Sequence, residues 1–155
     1  MKILALDSTA KVASVALCED EQLLGEFTLS NGNTHSQTLL PMVEFLLDKF
    51  ELSPLDIDLF AVAAGPGSFT GVRIGAATVK GLAFGQEKPC AGVSTLEALA
   101  FNLCDDDGLV CPVMNARRQQ VYTALFRVKD GKLERLMPDS AIAIAELDER
   151  LSQYE

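Results

Sequence analysis

Short apolar runs alternate with polar or glycine-rich breaks along this 155-residue chain, and the period of each run predicts its element. Residues 3–7 (ILALD), 12–18 (VASVALC) and 22–29 (QLLGEFTL) are β-leaning and separated by hairpin-length connections, which predicts a three-strand antiparallel meander. Thr34 and Gln37 have capping-box spacing ahead of LLPMVEFLLDKF, where Leu39, Met42, Val43, Leu46 and Phe50 recur at helical spacing. Leu40 and Leu47 widen the apolar surface beyond one face. Pro41 falls either in the first turn of a helix starting near Thr38 or inside a longer helix that it kinks.

Leu59 to Ala64 is a continuous apolar run suited to a strand covered on both faces. The segment GPGSFTG (65–71) links it to a helix over about 70–84, and residues 89–93 give another short strand. Ser94 and Glu97 form a second capping-box pair, opening a helix through about Leu103. The predicted order is βββαβαβα, an antiparallel meander extended by right-handed crossovers into a mixed sheet. After a linker at Asp105–Gly108 the pattern begins again, with strands at 109–114, 121–128 and 133–137 and a helix at 143–151. Two α/β domains follow, 1–108 and an incomplete 109–155. The expectation is that the chain is truncated, or that a partner completes the second domain.

Composition narrows the function classes. Hydrophobic residues at 48% and charged residues at 23% belong to a globular protein with a sizeable core. A net charge of −9 argues against unaided nucleic-acid binding, because phosphate contacts demand excess Lys and Arg. The bases Arg117, Arg118, Arg127, Lys129, Lys132 and Arg135 nevertheless share one stretch, either a solvated hairpin surface or an anion-facing patch. Cys18, Cys90, Cys104 and Cys111 lack CxxC spacing and His35 is the single histidine, so a structural zinc site is not expected. Buried free thiols in a reducing cytoplasm are the expectation, with no signal peptide and no membrane-spanning run.

Candidate chemistry clusters in two places. GPGSFTG follows a strand and opens a helix, so its amides could hold an anion, yet it meets neither the Walker pattern nor the dinucleotide pattern. A tight packing turn is the alternative. Asp7-Ser8-Thr9 ends the first strand, where a carboxylate and two hydroxyls could meet a nucleotide phosphate or its magnesium ion, or else cap a hairpin. Asp7, Ser8, Thr9, Gly65, Gly67 and Ser68 are therefore the candidate nucleotide or anion site. The helix that follows carries Gly71, Gly75 and Gly81, with Gly85 at its end, each interior glycine costing about 1 kcal/mol relative to alanine. On a helical wheel Gly71, Gly75 and Thr78 form one ridge beside Ala77, Gly81 and Gly85, a surface that lets another helix approach backbone to backbone. Val72, Ala76, Val79 and Ala83 are expected to face the sheet. The approaching helix is either the 38–50 helix of the same chain or one from another subunit.

ILALDST (3–9), HSQTLLP (35–41), AAGPGSFTGVRIGAATVKGLAFG (63–85), GVSTLEALA (92–100) and NARRQQVY (115–122) together resemble the TsaB (YeaZ) family. The resemblance spans nearly the whole chain and implies the actin-like (ribonuclease H-like) fold of two βββαβαβα domains. It implies a non-catalytic cytoplasmic subunit of the assembly that installs threonylcarbamoyl on adenosine in ANN-decoding tRNAs. The implied partners are TsaD, which carries the metal and performs the transfer, the ATPase TsaE, and a second copy when TsaD is absent. tRNA is met only through the complex, and ATP and metal stay on the partners. The implied interface lies on helices at about 36–50 and 70–85, with His35, Leu39, Leu40, Val43, Leu47, Gly71, Ile74, Gly75, Thr78, Gly81, Leu82 and Gly85 as its residues. No catalytic residue and no metal ligand are expected, since the HxxxH pair of TsaD is missing. Arg117 and Arg118 form a candidate basic patch. Asn115 and Gln120 stand where the family often has carboxylates, and the second domain is shorter than the family's. The competing reading is an ATP-binding phosphotransferase of the same fold acting as a homodimer.

Overall fold

The structure, a computed structural model, describes residues 1–30, 32 and 34–154. It divides into two compact units, Met1–Val93 and Ser94–Glu155. In the first unit, β1 (Lys2–Asp7), β2 (Ala13–Glu19) and β3 (Gln22–Leu29) form the expected antiparallel meander. β4 (Leu59–Ala63) lies parallel to β1, and β5 (Cys90–Val93) parallel to β4, giving the order β3-β2-β1-β4-β5. The crossovers are α1 (His35–Lys49) and α2 (Phe69–Gly85).

Register explains the core. Leu4 stands opposite Leu17 and Phe60, and Leu6 opposite Val15 and Val62, so one row of apolar side chains runs across the sheet on a single face. Leu39, Met42, Val43, Leu46 and Leu47 of α1 and Val79 and Ala83 of α2 pack into that row. Leu39 is 1% exposed whereas its neighbour Leu40 is 48% exposed. Placing Leu39, Val43 and Leu47 on the partner interface is thus corrected: those positions repeat at i and i+4 on the stripe that the sheet itself covers.

Local signals fared unevenly. α1 begins at His35, so Pro41 sits inside the helix, where the Gln37 carbonyl loses its amide partner on an exposed face that water can serve. The Thr34 side chain does not cap the helix and donates instead to Gln37 Oε1 at 2.9 Å. The four cysteines are free, with Cys90 exposed on the sheet's edge strand and the others half-buried, which corrects the expectation of buried thiols.

The second unit is built around β8 (Gln120–Lys129). β6 (Gly108–Val110) and β7 (Val113–Arg117) pair along one edge of β8, and β9 (Lys132–Ala143) along the other. The run expected as one strand over 109–114 is interrupted at Cys111–Pro112, and the buried Thr123 hydroxyl donates to the Pro112 carbonyl at 3.0 Å. β9 continues to Ala143, and the terminal helix shortens to α4 (Leu147–Leu151) between 3-10 turns.

The expected boundary after residue 108 differs from the division at 93/94, because α3 (Thr95–Phe101) joins the second sheet. Its Leu96 and Ala100 pack on Ala124 and Phe126 of β8. Arg135 ties its first turn to β9: the guanidinium meets Glu97 at 2.7 Å, pairs with Asp139, and lies 4.6 Å from the Phe126 ring centre. Ser94 Oγ accepts the Glu97 amide at 3.2 Å and donates to Asp139 at 2.6 Å.

Truncating Leu39 to alanine is expected to cost about 2–5 kcal/mol of unfolding free energy in urea titrations. Leu40→Ala is expected to stay within about 0.5 kcal/mol of the parent.

Candidate functional site

α2 meets β1 at backbone distance. After Asp7 the chain turns through Ser8 and Thr9, which are 1% and 2% exposed. Asp7 Oδ1 accepts the Thr9 amide at 2.7 Å. The Ser8 hydroxyl donates to the Gly71 carbonyl at 2.9 Å, and the Ser68 amide donates to the Thr9 carbonyl at 2.7 Å. Ser68 also caps α2, its Oγ accepting the Gly71 amide at 3.3 Å. On the other flank His35 Nε2 donates to the Ala10 carbonyl at 2.8 Å, so both helices grip the same turn.

Glycine makes the approach possible. A Cβ on Gly67 would stand 2.5 Å from the Thr9 carbonyl oxygen, and one on Gly71 only 2.0 Å from that of Ser8. A Cβ on Gly75 would lie 2.6 Å from Ser8 Oγ and 3.2 Å from a methyl of Val62. Gly65, at φ +106°, adopts a backbone conformation open to glycine. The buried stripe of α2 is therefore Gly71, Gly75, Val79 and Ala83. Assigning Gly71 and Gly75 to a partner-facing ridge is corrected: what approaches them is the end of β1, not another helix. Val72 and Ala76, expected against the sheet, are half-buried at its flanks.

The candidate anion site is brought together by this joint, with most of its polar groups spent inside it. Ser8 and Ser68 side chains bond α2, and the Asp7 carboxylate closes its own turn. Thr9 Oγ1 is the exception, buried without a hydrogen-bond partner among the described residues. No group of three or more His, Cys, Asp or Glu residues suited to a metal ion occurs among the described residues.

The opposite face of α2 is open. Cβ atoms on Gly81 or Gly85 would meet nothing within 4 Å, and Ala77 and Lys80 are exposed beside them. Phe84 is 88% exposed and Phe69 73%, the latter under the Arg73 guanidinium at 4.2 Å. α1 packs beside α2 and carries exposed apolar groups of its own, Leu40 and Phe45, the latter 5.0 Å from the Phe27 ring of β3. Ile74, Thr78 and Leu82 are half-buried, Thr78 donating to the Ile74 carbonyl at 2.9 Å. The sequence reading missed Phe69, Arg73 and Phe84; the spacing of Phe84 to Gly81 and Ala77 on one face carried that signal.

In the second unit Arg117, Arg118 and Gln119 form the β7–β8 turn with φ of 66°, 51° and 61°. A left-handed backbone costs such residues about 1 kcal/mol or more each. The Asn115 side chain accepts the Arg117 amide at 2.7 Å.

The mixed sheet with paired crossover helices, followed by a second meander, defines an actin-like α/β protein. The family model described as TsaD, tRNA N6-adenosine threonylcarbamoyltransferase, matches residues 22–154. The tRNA threonylcarbamoyladenosine biosynthesis protein TsaB of Bacillus subtilis is 39% identical over 100% of this chain, which spans 68% of that relative. TsaB of Escherichia coli is 41% identical over 82% of the chain and 55% of its own length. The solved YeaZ of Pseudomonas aeruginosa superposes with a TM-score of 0.83 at 33% identity, over 91% of this chain and 67% of that one. A second solved P. aeruginosa structure, described as an uncharacterized protein with similarity to peptidase YeaZ, gives 0.84 at 33%, over 92% and 66%. The chain belongs to the TsaB (YeaZ) family of tRNA threonylcarbamoyladenosine biosynthesis proteins. No helix among the described residues is long and apolar enough to cross a membrane.

Gly71→Ala is expected to lower unfolding free energy by at least about 2 kcal/mol, since the Ser8 carbonyl oxygen cannot yield without moving backbone. Gly81→Ala is expected to raise it by up to about 1 kcal/mol through helix propensity. Guanidinium unfolding of the two variants beside the parent checks both signs.

Proposed function

We propose that this chain is a non-catalytic subunit that docks the threonylcarbamoyltransferase TsaD through the open face of α1 and α2. Its role is to complete and activate the cytoplasmic assembly that modifies adenosine in tRNA, and the same face pairs two copies when TsaD is absent. The observation that carries this reading is Phe84, 88% exposed beside two glycines that leave room for another backbone. Large apolar groups grouped around an uncovered small-residue surface belong to interfaces rather than to solvent. Leu40 and Phe69 are further exposed apolar groups on the same two helices, and the exposed Arg73 and Lys80 of α2 supply charges for orientation. The relatives' role in tRNA threonylcarbamoyladenosine biosynthesis supports the pathway, and His35 as the single histidine leaves no HxxxH metal pair for the transfer itself. TsaE joins through the assembled pair.

The competing reading, an ATP-binding phosphotransferase, draws on one group, the partnerless Thr9 Oγ1 at the head of α2. Calorimetry separates the two: docking predicts no micromolar Mg-ATP binding by the isolated chain, whereas the phosphotransferase requires it.

Gel filtration of the chain mixed with TsaD is expected to give a stable heterodimer. Phe84→Glu or Gly81→Leu is expected to weaken the pairing at least about a hundredfold, the scale of a hot-spot loss, with circular dichroism unchanged. Undiminished pairing by both variants counts against this face.

A further inference from the structure

The second unit holds a hairpin turn whose residues suit a ligand better than they suit the turn. The β8–β9 hairpin turns through Asp130 and Gly131, at φ 50° and 71°, a pair well matched to left-handed backbone. The β7–β8 hairpin imposes the same geometry on Arg117, Arg118 and Gln119, none of them glycine or asparagine. Arg127 and Arg135 in the same unit have carboxylate partners, Glu134 at 3.4 Å and Glu97 at 2.7 Å. Arg117 and Arg118 have none within 4.0 Å among the described residues, and both are exposed.

Beside this turn runs a groove of about 550 Å³, lined by Asn115, Arg117, Arg118, Gln119, Gln120 and Ile144 among others. A second hollow of about 680 Å³ shares Arg118, Gln119, Gln120 and Ile144 with it. Neither lining contains a carboxylate, although the chain carries 22 Asp and Glu residues and a net charge of −9.

We propose that the Arg117–Arg118 turn and its groove form a contact for the RNA backbone, with this chain touching tRNA directly once it is in the assembly. The inference rests on the reading of the chain as a tRNA-modification subunit. Guanidinium forks match phosphate oxygens in pairs. The amides of Gln119 and Gln120 offer donors and acceptors together, the chemistry of unstacked base edges, while Ile144, 62% exposed, offers an apolar floor. An acidic peptide would also match the arginines and amides, and the chain's membership in a tRNA-modification family decides for RNA. The overall negative charge keeps the isolated chain a weak binder, so the contact acts as an increment to a basic partner's affinity.

The test is a titration of fluorescently labelled ANN-decoding tRNA against the reconstituted TsaD pair over a range of salt concentrations. The pairs carry the parent chain, Arg117→Ala/Arg118→Ala or Arg117→Lys/Arg118→Lys. The alanine pair is expected to lose about tenfold or more in affinity, and the salt slope to fall by about 0.7 for each single-strand phosphate contact removed. The lysine pair is expected to keep the slope and lose part of the affinity, since it retains charge without the fork. An unchanged affinity and slope in the alanine pair overturns the proposal. So does a parallel titration with oligoglutamate in which the alanine pair loses affinity while its tRNA binding is kept, which would mark a protein-docking surface. If the parent chain fails to pair with TsaD, the docking reading falls separately. The titration is then made on the chain alone at low salt and high protein concentration, where weak tRNA binding is expected and binding that is absent or indifferent to both arginines overturns the RNA contact.

Discussion

The first unit is organised by one contact, the seating of the glycine face of α2 on the end of β1 with no α2 side chain between them. Gly67 and Gly71 leave room for the Thr9 and Ser8 backbone, and Gly75 for the Ser8 hydroxyl, at distances that any Cβ would forbid. Hydrogen bonds from Ser8 to Gly71 and from Ser68 to Thr9 then lock the two segments together. Glycines inside a helix weaken it taken alone, so the stability they forgo is offset by this burial and by the closed polar turn. His35 joins α1 to the same turn, and the β1–β2 connection becomes the point where sheet and both helices meet.

This seating decides which surface remains for others. With Gly71, Gly75, Val79 and Ala83 turned to the sheet, the face carrying Ala77, Gly81 and Phe84 turns outward. One helix thus uses glycine for two purposes: close approach within the chain at its first half, and an uncovered surface at its second. The distinction matters for mutagenesis, because a substitution at Gly75 reports on folding and one at Gly81 on the proposed docking face.

Element order was legible in the sequence because runs such as ILALD and LFAVAA have the length and period of strands, and the glycine block separates strand from helix. The particular faces were less so. A small-residue ridge announces close approach without saying whether a helix or a strand end approaches, and Gly71 and Gly75 were assigned accordingly to a partner. Leu39, Val43 and Leu47 are as apolar as Leu40, and only the three-dimensional stripe separates them. The domain boundary was hidden because α3 is held by Arg135, far along the chain, and nothing local to residues 94–101 points there. The split of β6 from β7 has a local cause in Pro112, which cannot donate to a ladder. The paired arginines were visible as a patch, whereas the groove beside them needed the fold.

A double-mutant cycle between Ser8 and Gly75, read as urea unfolding free energies, tests the seating most directly. A methyl added at Gly75 meets Ser8 Oγ at 2.6 Å but Ser8 Cβ at an ordinary 3.9 Å, so deleting the hydroxyl makes room for it. Gly75→Ala should therefore cost less in a Ser8→Ala background than in the parent, with a coupling of about 1 kcal/mol or more. Strict additivity of the two substitutions would mean that α2 does not rest on the end of β1, and would contradict the account.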